Sequence, residues 1–215
     1  MTAFPHKVAR VKPGAFVALE GLDATGKSTQ IDLMKTLTPK LFMNPVPYIS
    51  HQPSGESEVG RHVYAITERC AIDSPWARQF LHLASHAEHY SQWILPMLEE
   101  RAVILDRCWW STVAYGWGGG NIKESMELYE FLKIAQLPAQ GRIPDLVLLF
   151  MEPHMDDRHN TPEVAEAYEQ LAELYEGIVV RVPKLDKIDT NLFIFQAMED
   201  HDLLDPWEET RAADL

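Results

Sequence analysis

Ala15-Phe-Val-Ala-Leu-Glu20-Gly21-Leu-Asp23-Ala-Thr-Gly26-Lys27-Ser28-Thr29 decides the fold. Its first six residues are a short run of mostly apolar, β-branched or aromatic side chains, which predicts a buried strand from Ala15 to Glu20. Gly21 to Ser28 then match G-x-x-x-x-G-K-S/T, and a helix is predicted from about Lys27 to Leu37. A strand, a glycine-flanked loop and a helix in this order let backbone N–H groups wrap phosphate oxygens. Lys27 places a cation on the terminal phosphates and Ser28 offers its hydroxyl to Mg²⁺. The loop alone leaves kinase, NTPase and GTPase open, because all three use it.

Working outward, four further apolar runs read as strands: Val46 to Ser50, Ala102 to Asp106, Asp145 to Met151 and Gly177 to Val182. Helical patterns lie between them. Glu58 to Glu68 is one, and Pro75 to Glu100 is another, opened by Ser74-Pro75 as cap and first turn. Strands apolar on both faces and separated by helices imply a parallel sheet covered on both sides, a three-layer α/β fold. Residues 1–14, with His6, Lys7, Arg10 and Lys12 between Pro5 and Pro13, read as a mobile extension. Residues 15–198 read as one domain. Residues 199–215 read as an exposed acidic tail whose Trp207 is placed to pack back on the body.

The balance of 19 Lys+Arg against 32 Asp+Glu gives a net charge of −13, which repels nucleic-acid backbones and favours small phosphorylated ligands held in a local basic pocket. With 46% apolar residues the 215-residue chain can bury a full core, so disorder and a simple coiled coil are excluded. Two cysteines, Cys70 and Cys108, build neither a disulfide framework nor a four-cysteine zinc site and point to a reducing, cytoplasmic setting. The longest apolar stretch, Leu146 to Met151, is far below a membrane span, so no membrane partner is expected.

The rest of the chain narrows the chemistry. It has no Asn-Lys-x-Asp stretch for reading guanine, which weighs against a GTPase switch. Asp106-Arg107 ends the third strand, where a carboxylate serves the magnesium side and a cation reaches the carboxyl edge of the sheet. A surface ion pair is the plainer alternative. His82, His86 and His89 share one helical face, suited either to a metal or, more commonly, to a polar lining. Trp109, Trp110 and Trp117 are cleft or core, Gly118 to Gly120 reads as a flexible loop, and Cys108 reads as a small buried residue.

Phe16-Val-Ala-Leu-Glu-Gly-Leu-Asp-Ala-Thr-Gly-Lys-Ser-Thr-Gln30 resembles the opening of thymidylate kinases. Gln52-Pro53-Ser-Gly-Glu with Val59-Gly60-Arg61 resembles the loop after their second strand. Ile104-Leu-Asp106-Arg107-Cys-Trp-Trp-Ser111-Thr-Val-Ala-Tyr115 and Pro144-Asp-Leu-Val-Leu-Leu-Phe150 resemble two later stretches, in the family's order. The resemblance covers roughly residues 15 to 185 and implies an ATP-dependent, Mg²⁺-using deoxynucleoside monophosphate kinase with a five-stranded sheet, acting as a homodimer on nucleotide substrates.

Carried over, the resemblance gives Gly21, Gly26, Lys27, Ser28 and Thr29 to ATP, and Ser28 with Asp106 to Mg²⁺. Arg107 takes the acceptor phosphate and Asp23 the acceptor deoxyribose. Arg158, in Asp156-Asp-Arg158, matches the family's lid arginine, with a solvated loop charge as the alternative. His51, Pro53, Arg61, Phe80, His86, Ser111 and Tyr115 complete the acceptor side. The chain departs from the family where the second loop, His51-Gln-Pro-Ser-Gly-Glu56, lacks the usual arginine. It departs again where the helix beginning at Pro75 offers histidines in place of an arginine, and where few residues separate Glu152 from Arg158. These departures imply a dTMP-like or modified pyrimidine acceptor with relaxed base preference. A hydroxymethyl-pyrimidine alcohol in DNA, with Asp23 as the base, and a non-catalytic nucleotide binder stay open beside it.

Overall fold

The structure, a computed structural model, describes residues 10–41 and 45–205. Five parallel strands form the central sheet: β2 (Phe16–Gly21), β3 (Tyr48–His51), β4 (Val103–Asp106), β5 (Leu146–Phe150) and β6 (Val179–Val182). Their order is β3-β4-β2-β5-β6. A two-stranded antiparallel pair, β1 (Arg10–Val11) with β7 (Leu204–Asp205), lies beside it. The helices are α1 (Lys27–Leu41), α2 (Glu58–Arg69), α3 (Pro75–His89), α4 (Leu95–Glu100), α5 (Trp109–Ser111), α6 (Leu128–Ala135), α7 (Pro162–Leu174) and α8 (Lys187–Asp200). The three-layer parallel α/β fold read from the sequence is the one observed.

Period-2 alternation along the strands separates two cores. On β2, Phe16 and Ala18 join Val103, Leu105, Val147 and Leu149 under α3, α6 and α7. Val17 and Leu19 join Ile104 and Leu148 under α1 and α8. Each such fully buried aliphatic side chain contributes roughly 1.5–3 kcal/mol. Trp109 and Trp110 have no exposed surface and belong to the first core, and Trp117 packs on it with Nε1 donating to Met126 O at 2.8 Å. The tryptophans are therefore packing residues. Cys108 is buried too, and burial, with Glu20 nearby, pushes its thiol well above the usual range, so it stays protonated.

Ser74 caps α3 by accepting from Ala77 N at 3.2 Å, with Pro75 in the first turn. The single long helix expected from Pro75 to Glu100 is continuous but carries a π-helical segment, Tyr90–Ile94, between α3 and α4. The expected extension is not wholly outside the fold, since Val11 is 2% exposed and Arg10 pairs with Asp205 across β1 and β7. His6, Lys7 and Trp207 lie outside the described residues. No described helix is long and apolar enough to cross a membrane.

β2 is central, and the chain runs to β3 and β4 on one side before crossing to β5 and β6 on the other. Its carboxyl end is thus the topological switch point, where ligands of such folds bind. The parallel register sets Leu19 beside Asp106, His51 beside Asp106 and Gly21 beside Phe150, so four strand ends open on one edge.

Candidate active site

Gly21 makes the turn out of β2 at φ 125°, and a Cβ there would lie 2.0 Å from Phe150 O, so only glycine fits. The loop then runs into α1. Lys27 is 4% exposed, and its ammonium donates to Gly21 O at 3.2 Å, Thr25 Oγ1 at 3.1 Å and Leu22 O. Burial, reinforced by the Arg107 charge and opposed by Asp106, lowers its pKa to about 7. One residue on, Ser28 Oγ donates to Asp106 Oδ2 at 2.9 Å. A hydroxyl and a carboxylate side by side at the start of α1 are a hard-oxygen pair suited to Mg²⁺. Thr29 follows, exposed, in the first turn.

Arg107 leaves β4 with a left-handed backbone, φ 68°, held by its N–H to Leu19 O at 2.9 Å. Its Nη1 donates to Gly21 O at 3.0 Å, Ser111 Oγ at 2.8 Å and Tyr168 OH at 3.2 Å, while Nη2 pairs with Asp23. The guanidinium carbon lies 5.2 Å from the Tyr115 ring centroid. Six of the residues singled out in the sequence, Asp23, Lys27, Ser28, Arg107, Ser111 and Tyr115, thus meet at the carboxyl end of β2, with Asp106 beside them.

The connection from β5 to α7 crosses the phosphate loop. His154 N–H donates to Ala24 O at 2.8 Å, and Asn160 clamps the backbone of one residue from both sides: Asp23 N–H donates to its Oδ1 at 2.7 Å, and its Nδ2 donates to Asp23 O at 2.9 Å. Sequence reasoning missed Asn160, which stands there only as a polar residue before the Thr161-Pro162 cap. Arg158 is exposed, with Nε 3.3 Å from His159 Nε2, and is not brought to Lys27. Ligand atoms of Asp23, Asp157 and His159 lie within 4.8 Å of one another, whereas the histidines of α3 form no such group among the described residues.

Acceptor-side residues are more scattered. His51 is exposed and lines an open cleft of about 340 Å³ with Ser28, Asp32, Lys35, Asp106 and Arg107. Pro53 follows a cis peptide, and Arg61 braces the same loop by donating to Gly55 O at 3.3 Å and Glu56 O at 3.0 Å. Phe80 does not join His86: it is 56% exposed and packs on Trp76 with ring centroids 5.7 Å apart, on the outer face of α3. His86 is 2% exposed, and burial, with His82 and His89 adding, lowers its pKa to about 3. His89 meets Tyr48 OH at 3.1 Å and Ser50 Oγ at 3.3 Å, and burial lowers it to about 4 despite the Glu56 carboxylate 3.6 Å away. Both imidazoles are neutral at pH 7.

The thymidylate kinase family model matches residues 19–178. Thymidylate kinase from Pelotomaculum thermopropionicum is 36% identical over 140 residues, a match covering 63% of this chain and 61% of that protein. The enzyme from Neorickettsia sennetsu is 30% identical over 177 residues, covering 77% and 84%. The chain thus spans about three fifths of the length of the first relative and more of the second. Among solved structures, a thymidylate kinase from Ehrlichia chaffeensis superposes with a TM-score of 0.70 at 20% identity, covering 86% of this chain and 98% of that one, a likeness that concerns the fold. With the matched residues spanning well over half the sequence and including the phosphate loop, Asp106-Arg107 and Tyr115, the chain belongs to the thymidylate kinase family.

Proposed function

We propose that this chain transfers the γ-phosphate of ATP to a free pyrimidine deoxynucleoside monophosphate of the dTMP type. One observation carries the reading: Arg107 hydrogen-bonds the carbonyl of Gly21, the first residue of the phosphate loop, so a cation for an acceptor phosphate stands across the loop from Lys27. A monophosphate is already ionised at neutral pH, so transfer needs alignment and dispersed positive charge more than a strong base. Lys27 meets the donor phosphates and Arg107 the acceptor phosphate. Ser28 and Asp106 would hold Mg²⁺, which when bound neutralises charge on the phosphate oxygens. Asp23 pairs with Arg107 and faces the acceptor sugar.

Arg158 is the cation on the β5–α7 connection that would reach the transferring group when the connection lifts. His86 replaces a charged fork with a neutral ring that can make fewer hydrogen bonds, so base preference is relaxed. The homodimer is proposed through α2 and α3, where Val59, Ile66 and Phe80 are exposed apolar side chains. Label transfer from radioactive ATP to a panel of monophosphates, nucleosides and oligonucleotides tests the reading. Labelled diphosphates from several pyrimidine monophosphates are expected. Label confined to oligonucleotides would favour the DNA reading, and ATP binding without any transfer a non-catalytic binder.

A further inference from the structure

Glu20 has no exposed surface, yet it sits at the carboxyl end of a strand buried along its whole length, where a carboxylate costs several kcal/mol unless it is fully hydrogen-bonded. Period-2 alternation along β2 turns it to the same side as Phe16 and Ala18, towards α5 and α7. There it accepts four hydrogen bonds. Oε1 takes the N–H groups of Cys108 at 2.6 Å and Ser111 at 3.1 Å; Oε2 takes the hydroxyls of Ser111 at 2.6 Å and Tyr168 at 3.0 Å.

We propose that Glu20 is the positioning residue that fixes the direction of Arg107 towards the acceptor phosphate. Two links connect them. Through Oε1 it holds the peptide immediately after Arg107 and the start of α5, pinning the far side of a left-handed residue that has no glycine to ease it. Through Oε2 it sets hydrogen-bond polarity. Ser111 and Tyr168 each have one hydroxyl hydrogen and their oxygens lie 2.9 Å apart; the Glu20 carboxylate draws both hydrogens away from that contact and from Arg107, so the two oxygens present lone pairs to Nη1, at 2.8 Å and 3.2 Å. The two hydrogens of Nη1 are thereby shared among three neutral acceptors, Gly21 O being the third, without a direct ion pair to Glu20 among the described residues. The guanidinium keeps its net charge for a phosphate, and only exchangeable Asp23 competes for Nη2. An amide at position 20 would supply a donor where two hydroxyls now donate, turning one of their hydrogens towards Arg107.

This inference rests on Arg107 gripping the acceptor phosphate, and dTMP is the probe. Glu20→Gln is expected to raise the KM for dTMP, and its Kd by calorimetry without ATP, about tenfold, with the KM for ATP changed less than twofold. In an Arg107→Ala background it is expected to add nothing. Ser111→Ala and Tyr168→Phe, which each delete one relay hydroxyl, are expected to give smaller increases of the same kind and serve where Glu20→Gln folds poorly. Equal loss for ATP and dTMP, or the same loss with and without Arg107, would make Glu20 a packing residue and overturn the inference. If Arg107→Ala weakens dTMP while Glu20→Gln and both hydroxyl variants do not, the inference alone fails. If Arg107→Ala leaves dTMP affinity unchanged, the reading beneath it fails as well.

Discussion

The phosphate loop and the inner face of α3 treat their polar groups in opposite ways. At the loop the buried Lys27 ammonium has three acceptors, and the Asp23 backbone is clamped on both sides by Asn160. On the α3 side, Gln79 Oε1, Ser85 Oγ, His86 Nδ1 and Tyr90 OH are buried without a hydrogen-bond partner among the described residues. A group already hydrogen-bonded inside the chain changes little in cost when a ligand replaces its partners. A buried group without a partner carries a penalty of ~1–3 kcal/mol that a ligand able to meet it can recover. Under the proposed function the loop would serve triphosphate binding, and the α3 face is where discrimination between acceptors would reside.

Substitutions at the nucleotide end test that division first. Lys27→Ala is expected to lower phosphoryl transfer by on the order of 10²–10³-fold or more, while the fold persists because, among the described residues, the Lys27 ammonium bonds to its own loop. Steady-state transfer and a thermal melt together check it, and a variant within a few-fold of wild type would remove Lys27 from the chemistry. Arg107→Ala is expected to cost about 1.5–3 kcal/mol in acceptor kcat/KM, roughly ten- to a hundredfold. Its ATP hydrolysis without acceptor should stay near wild type. Equal loss of that hydrolysis would move Arg107 to the donor side and erase the division drawn here.

The two regions also differed in how far the sequence disclosed them. Gly21 to Ser28 are contiguous, and a motif whose backbone must wrap an anion dictates residue type at fixed spacing, so the strand, loop and helix were readable from fifteen residues. Asp106-Arg107 were readable because apolar strands in parallel register bring their ends to one edge. The α3 face was less legible. Phe80 and His86 lie six residues apart, and helical geometry puts them on different sides, which a list of candidate side chains does not reveal. Glu20 looked like a strand end and Asn160 like a loop residue. Their partners, Ser111 and Tyr168 for Glu20 and Asp23 for Asn160, are 91 to 148 positions away, and no local pattern encodes those meetings.

Lys27 also makes the donor side sensitive to alkali. Its folded pKa is about 7, lowered mainly by burial, whereas with triphosphate oxygens around it the charged form is favoured. Below pH 7 the free protein already carries the proton. Above pH 7 ATP binding must take one up. Apparent ATP affinity is therefore expected to fall roughly tenfold between pH 6 and pH 8, while dTMP affinity changes far less. Calorimetry in buffers of different ionisation enthalpy reads the proton uptake directly, and no uptake at pH 8 would mean that Lys27 stays charged in the free protein.

The last expected effect lies on the α3 side and concerns stability in acid. His86 and His89 titrate near 3 and 4 in the folded chain, mainly because burial disfavours their charged forms. Free histidine titrates near 6.5, so between these values the unfolded chain binds more protons than the folded one, and stability rises with pH through that window. Their neutral forms therefore support the fold fully above about pH 6.5, and that support drains away as pH falls towards 4. Each histidine costs up to about 1.4 kcal/mol per pH unit over this range, equivalent to roughly 2–4 °C in Tm for every kcal/mol in a chain of this size. His89 loses less, because Glu56 lies 3.6 Å away and eases its protonation. Wild type is thus expected to melt several degrees lower at pH 5 than at pH 7. His86→Asn, which keeps a polar group but cannot be protonated, should show a shallower decline by about one proton. Equal slopes in the two proteins would mean that His86 is not the group that titrates, and that the inner face of α3 is wetter than its burial indicates.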